Sequence, residues 1–321
     1  MKNGIWITWE KQIRNKGISE SLNWKLYELI INKPRLVRYF VCTLRTILII
    51  YLNRKNIIAV QNPSILLSLI AVLLKKIFKF PLIIDSHNAG ILPFEGRNNC
   101  LMKISAFIQK NSNLTIVTNI ALKQIVEENN GRAFILQDKI YSPFESFKPL
   151  GYNLKGRFNI ACICTFSNDE PFGEMIKSGH IISDDIFLYF TGNYKGKFNT
   201  NELSSNVKLL GYISDDSYWS LLNSVDAVLD LTLRENCLVC GAYEGISVGK
   251  PLILSDTVAL RSYFNKGCIF VTPDAKSISD GINEIIKNYK KYQNDIIILR
   301  KTLSESWNKR LIELNEKIAT W

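Results

Sequence analysis

The stretch LRENCLVCGAYEGISVGKPLILSD, residues 233–256, decides the fold. It follows Ala227-Val228-Leu229-Asp230-Leu231-Thr232, an apolar run that reads as a buried strand. After a short polar loop comes about one helix's length of small residues, starting near Val239 and holding a single acid, Glu244. Gly249-Lys250-Pro251 then turns the chain into a second buried strand, Leu252-Ile253-Leu254-Ser255. Strand, loop, helix, turn, strand is a βαβ unit. Its loop lies at the carboxyl end of a strand, where open α/β sheets hold their ligands. One Glu inside a helix of Gly, Ala and Ser has a natural role there as an acceptor for ligand hydroxyls.

The same alternation extends in both directions. Upstream, strands are expected at Ile5–Trp9, Asn56–Gln61, Pro81–Asp85, Leu114–Thr118 and Ala133–Leu136, with helical patterns between them and from the first strand to residue 53. Residues 142–156 (SPFESFKPLGYNLKG) hold two Pro and two Gly without an apolar period and read as a linker. Beyond it the pattern restarts, with strands at Phe158–Phe166, Ile186–Thr191, Val207–Leu210, 226–231, Leu252–Ser255 and Cys268–Val271, separated by helices and closed by helices over 275–289 and about 291–321. The expected fold class is α/β: two Rossmann-like domains, each a parallel sheet wrapped on both faces, with a crevice between them. The expected boundaries are 1–148, 157–300, and a terminal helix over 301–321 that crosses back to the N-terminal domain.

Composition narrows the partners. Among 321 residues, 40 Lys and Arg face 29 Asp and Glu, so the net charge of +11 favours something anionic. The cations are dispersed and lack the aromatic-basic motifs of RNA or DNA binders, which argues against nucleic acid. Seven cysteines, scattered and mostly in apolar runs, read as reduced core thiols of a cytoplasmic protein. Cys237-x-x-Cys240 has no second Cys or His pair, so it fills a small-residue helix start and no metal site is expected. No P-loop, Gly-x-Ser-x-Gly or Cys/His nucleophile pattern is present. The run Ser64–Leu74 is too short to span a bilayer, which takes about 20 apolar residues. Leu36–Leu52, punctuated by Arg38 and Arg45, fits either an amphipathic helix resting on a bilayer or a core helix with two solvated arginines.

Three segments of the C-terminal half resemble retaining glycosyltransferases of the GT-B fold, close to glycosyltransferase family 4. LLGYISDDSYWSLLNSVDAVLDLT (209–232) resembles the family's Gly-Tyr segment, acidic helix start and Asp-Ala before a strand. RENCLVCGAYEGISVGKP (234–251) resembles its two-acid donor motif with a Gly-x-Pro exit, and ILSDTVALRSYFNKGCIFVTPDAKSISDGI (253–282) its closing loop, strand and helix. The resemblance implies an enzyme that moves a sugar from a nucleotide-sugar donor to a hydroxyl of a glycan acceptor, with retention of configuration, needing no cofactor and no metal. It implies that Glu244 accepts from the ribose hydroxyls and that Glu235 or Asn236 contacts the sugar; the helix start around Gly241 suits the diphosphate, and Arg234 is the nearest cation to join it there. His87, just past the strand at 81–85, would contact the donor sugar; Asp85 and His180 are expected to carry no chemistry.

The departures matter as much. The family separates its two acids by seven residues, whereas eight lie between Glu235 and Glu244: either the loop carries one extra residue or Asn236 has replaced the first acid. The cations that usually follow the first C-terminal strand are absent; Thr165–Pro171 (TFSNDEP) stands there instead. Asp169-Glu170-Pro171 reads as a helix start with acids at the positive dipole end. Glu10-Lys11-Gln12 replaces the Gly-rich N-terminal loop. A non-catalytic partner subunit with a degenerate donor site is therefore the alternative, followed by an epimerase or related sugar enzyme. The basic, apolar N-terminal half adds the expectation of a lipid-linked saccharide acceptor in bacterial surface polysaccharide assembly, reached from the cytoplasm by peripheral binding to an anionic membrane face.

Overall fold

The computed structural model describes residues 2–141, 151–197 and 203–321. Residues 142–150 of the expected linker lie outside that set. The chain divides into two units, the first comprising 1–139 and 306–321 and the second 140–305.

In the first unit the elements follow in the order β1 (Gly4–Thr8), α1 (Ile13–Ser21), β2 (Lys25–Glu28), α2 (Arg35–Leu52), β3 (Ile57–Asn62), α3 (Ile65–Phe78), β4 (Leu82–Ser86), α4 (Asn88–Ile91), α5 (Asn99–Asn111), β5 (Leu114–Val117), α6 (Ile120–Glu128) and β6 (Ala133–Ile135). Its six strands pair in parallel in the order β2-β1-β3-β4-β5-β6. The second unit runs β7 (Phe158–Cys162), α7 (Phe172–Ser178), β8 (Ile186–Thr191), β9 (Val207–Gly211), α8 (Asp215–Ser224), β10 (Ala227–Asp230), α9 (Cys240–Ser247), β11 (Leu252–Ser255), α10 (Val258–Tyr263), β12 (Cys268–Val271), α11 (Ala275–Lys287) and α12 (Tyr289–Ala319). Its sheet is again parallel throughout, ordered β12-β11-β10-β7-β8-β9.

The central strands bury both faces, as continuous Val, Ile and Leu runs require of parallel sheets. From Ser306 on, α12 belongs to the first unit. There Trp307 and Leu314 join the core with Trp6 and Ile116, and Trp307 Nε1 donates to the carbonyl of Gln137 at 3.0 Å. Each strand order reverses once, between β1 and β3 in the first unit and between β7 and β10 in the second. Those switch points open a gap at the strands' carboxyl ends, and both clusters described below lie at or beside one.

Three sequence expectations need correction. Residues 9–53 are not helical throughout: β2 (KLYE) pairs alongside β1, a short and half-exposed edge strand with no apolar alternation of its own. The strand expected over Phe158–Phe166 ends at Cys162; the apolar run continues because Cys164 and Phe166 are buried within the following loop, Phe166 at a left-handed φ of 57°. The cysteines are not all core thiols either: Cys42, Cys162 and Cys164 are buried, but Cys100 and Cys240 are exposed.

Candidate functional site

In the first unit, polar side chains gather at the ends of β1, β3 and β4. Asp85, with no exposure, is gripped by Arg14 from α1: Nε donates to Oδ2 at 2.9 Å and Nη2 to Oδ1 at 2.7 Å. Arg14 Nη1 also donates to Asp138 Oδ1 at 2.5 Å, and Nη2 to the carbonyl of Leu136 at 2.9 Å. Burial works against the guanidinium charge, but Asp85 and Asp138 outweigh it and raise the Arg14 pKa above its ordinary value. Arg14 and Asp138 went unsuspected in the sequence, and Asp85 holds a charge network rather than merely ending a strand. Across the switch point Thr8 Oγ1 donates to Gln61 Oε1, and Gln61 Nε2 to Gln12 Oε1. Gln12, expected only as a residue replacing a Gly-rich loop, thus ties the start of α1 to β3.

His87 directly follows β4, its N–H donating to the carbonyl of Asn62 at 3.0 Å. The side chain is 29% exposed, but Nε2 is sealed from solvent with no hydrogen-bond partner, 3.8 Å from Asp85 Oδ2. Burial first and the Arg14 charge second lower its pKa, so the imidazole is neutral at neutral pH. Asn62 Oδ1, Ser86 Oγ and Asn88 Oδ1 are likewise buried and unpaired. Gly90 lets α4 pack this closely on β3 and β4, because a Cβ there would sit 2.6 Å from Asn62 Cγ and 2.7 Å from Ser86 Oγ. A neutral imidazole beside three unpaired buried oxygens is a place where hydroxyl groups could be received.

In the second unit the cluster lies at the β7/β10 switch point. Val239 is the N-cap position of α9, where the small-residue pattern put the helix start. Six of the helix's eight residues are buried, and Glu244 is only half-buried. Tyr218 from α8 donates its hydroxyl to Glu244 Oε2. Burial and the neighbouring Glu244 raise the Tyr218 pKa, so it stays a donor. Gly241, expected to offer its N–H to phosphate, instead donates to Asp230 Oδ2 at 2.8 Å, and a Cβ there would strike that same oxygen. Asp230 is buried and its pKa is raised well above the usual range, by desolvation first and then by Glu244, Glu170 and Asp169, with the Gly241 N–H opposing.

Arg234 lies on the loop after β10, 37% exposed, and pairs with Asp169 Oδ2 at 3.1 Å. The Leu233 N–H donates to the carbonyl of Asp169 at 2.7 Å, so the two loops are stitched together. Glu235 and Asn236 are on that loop, half-buried or more exposed, preceding α9. Glu170 does not act as an acid at a helix N-terminus: it accepts from the Thr165 N–H at 2.9 Å, the Ser167 N–H at 3.1 Å and Thr165 Oγ1 at 2.9 Å, closing its own loop. Among the described residues, no group of three or more His, Cys, Asp or Glu is arranged to hold a metal ion.

No protein-family model matches the sequence, and no curated protein matches it. Solved structures do. The chain is similar to Anabaena HepE in complex with UDP, at 12% identity over the whole of both chains with a TM-score of 0.72. Sucrose-phosphate synthase from Thermosynechococcus elongatus is 13% identical, covering 100% of this chain and 99% of that one, with a TM-score of 0.76. A UDP-forming α,α-trehalose-phosphate synthase from Burkholderia xenovorans is 11% identical over 97% and 99%, with a TM-score of 0.69. With the two six-stranded parallel sheets, these likenesses establish a GT-B fold.

Proposed function

We propose that the protein is a nucleotide-sugar-dependent glycosyltransferase whose donor is held by the second unit at the carboxyl ends of β7 and β10. The observation that carries this reading is Glu244: a half-buried carboxylate on a helix buried at six of its eight residues, beside a switch point and oriented by Tyr218. It suits vicinal ribose hydroxyls, which present two donors to one carboxylate. Arg234 and the positive end of α9 are assigned to the diphosphate, Glu235 or Asn236 to the sugar, and His87 as a neutral imidazole to a sugar hydroxyl. No metal is part of the proposal. The UDP and UDP-glucose complexes of HepE support a nucleotide-sugar donor. The acceptor is read as a lipid-linked saccharide in surface polysaccharide assembly, used from the cytoplasmic face of the membrane, and retention of configuration is part of the same reading.

A second reading keeps the fold without catalysis. Asp169 and Glu170 stand where the family has cations, and Arg234 is already paired with Asp169. Incubating the purified protein with UDP- and GDP-sugars and saccharide acceptors, with and without Mg²⁺, separates the two. Acceptor-dependent release of a nucleoside diphosphate with equimolar glycoside supports transfer. Tight donor binding without turnover supports the partner subunit, and interconversion of the nucleotide sugar without acceptor indicates an epimerase.

A further inference from the structure

Between Glu28 and Asp85 the chain has no acidic residue, while nine Lys and Arg fall in the same interval. None of the nine joins an ion pair among the described residues. This interval contains α2 and α3, and α2 inverts the usual arrangement of a surface helix. One face is anchored in the core by Cys42, Thr46 and Ile50. The face turned to solvent should be polar, yet it presents Val37, Phe40, Leu44, Leu48 and Tyr51, spaced by three or four residues along one outward stripe. Phe40 is 65% exposed, Leu44 52% and Leu48 56%. On the neighbouring α3, Leu73 and Ile77 are exposed as well, and Phe78 packs edge-on against Tyr51. Arg38 and Arg45 follow stripe residues by one position, at its border, and Arg54 lies 4.4 Å over the Tyr51 ring.

We infer that the outward face of α2, continued by exposed side chains of α3, is a docking surface for a bilayer containing anionic lipid. A contiguous apolar stripe on a soluble face marks a binding surface, and a basic border free of acids suits phosphate headgroups around an apolar interior. No helix among the described residues is long and apolar enough to cross a membrane, so the helix lies in the interface plane. A second copy fits less well, because a twofold contact would set this all-cationic border against itself. The inference depends on the proposed function only for why a membrane would matter; the surface stands on the first unit alone.

Vesicle flotation of the full-length protein tests it, comparing pure phosphatidylcholine with phosphatidylcholine doped with phosphatidylglycerol. Wild type should float with the doped vesicles only, and release at high salt. L44E/L48E and R38E/R45E should each weaken binding by about tenfold or more, while circular dichroism and nucleotide titration confirm that the fold and the second unit are intact. Absence of flotation, or flotation indifferent to both double variants, overturns the inference. So does ultracentrifugation showing a dimer abolished by L44E/L48E without any vesicle binding, which would assign the face to a second copy. Retained nucleotide binding with lost flotation separates this surface from the donor site.

Discussion

Asp85, at the end of β4, and Asp230, at the end of β10, are buried almost equally, 0% and 7% exposed, and the two units treat them differently. Asp85 has Arg14 in a two-point grip, a carboxylate faced by a guanidinium. No salt bridge among the described residues reaches Asp230. One N–H, that of Gly241, supports it against burial and three nearby acids, so it is held toward its protonated form. A parallel sheet can bury a carboxylate at its carboxyl end by matching its charge or by removing it. The second solution suits the unit assigned to a diphosphate, because pushing Asp230 toward its uncharged form lessens the negative charge beside Glu244.

Removing the match should have the largest effect. Arg14→Met leaves Asp85 buried without its cation, and unfolding by denaturant should show a loss of about 3–5 kcal/mol. Pairing it with Asp85→Leu should recover most of that loss. A loss below about 1 kcal/mol would mean that the pair contributes little.

Tyr218→Phe comes next. It strips a part-buried donor from Glu244 and should cost roughly 1 kcal/mol of stability while weakening nucleotide binding. Stability falling with unchanged nucleotide affinity would make Tyr218 purely structural.

Asp230→Asn should cost under about 1 kcal/mol, since burial already favours the uncharged form of the native group. Asp85→Asn should cost more. The pH dependence sharpens the contrast. The folded pKa of Asp230 is raised, so its stabilising contribution is complete below the ordinary 3.8 and drains away as pH rises toward the folded value. Asp230→Asn should remove that decline. His87 behaves in the opposite sense: its folded pKa is lowered, so wild type loses stability as pH falls below 6.5, and His87→Gln should flatten this slope. Denaturant midpoints across pH check both signs.

The frame was legible because βαβ periodicity is local. The run at 252–255, the small-residue helix from Val239 and the helix at 99–111 all announce themselves within a dozen residues. What escaped depends on distance in sequence. Arg14 meets Asp85 across 71 positions and Asp138 across 124, and no spacing rule reaches that far. β2 takes its identity from pairing with β1 rather than from its own pattern. A helix does start after Pro171, as the residues there announce, but the sequence did not show that the Glu170 carboxylate bonds back into the preceding loop. Glu244 stood out as a lone acid among small residues, though nothing in the sequence marked Tyr218, 26 positions away, as its partner.

The central claim is that Glu244 belongs to a nucleotide site in the second unit. Calorimetric titration of wild type and Glu244→Ala with UDP and GDP tests it most directly. The account predicts saturable binding of one nucleotide by wild type and a loss of about 1.5–3 kcal/mol, more than tenfold in affinity, in the variant. Binding of neither nucleotide by wild type, or equal affinity in the variant, would contradict it.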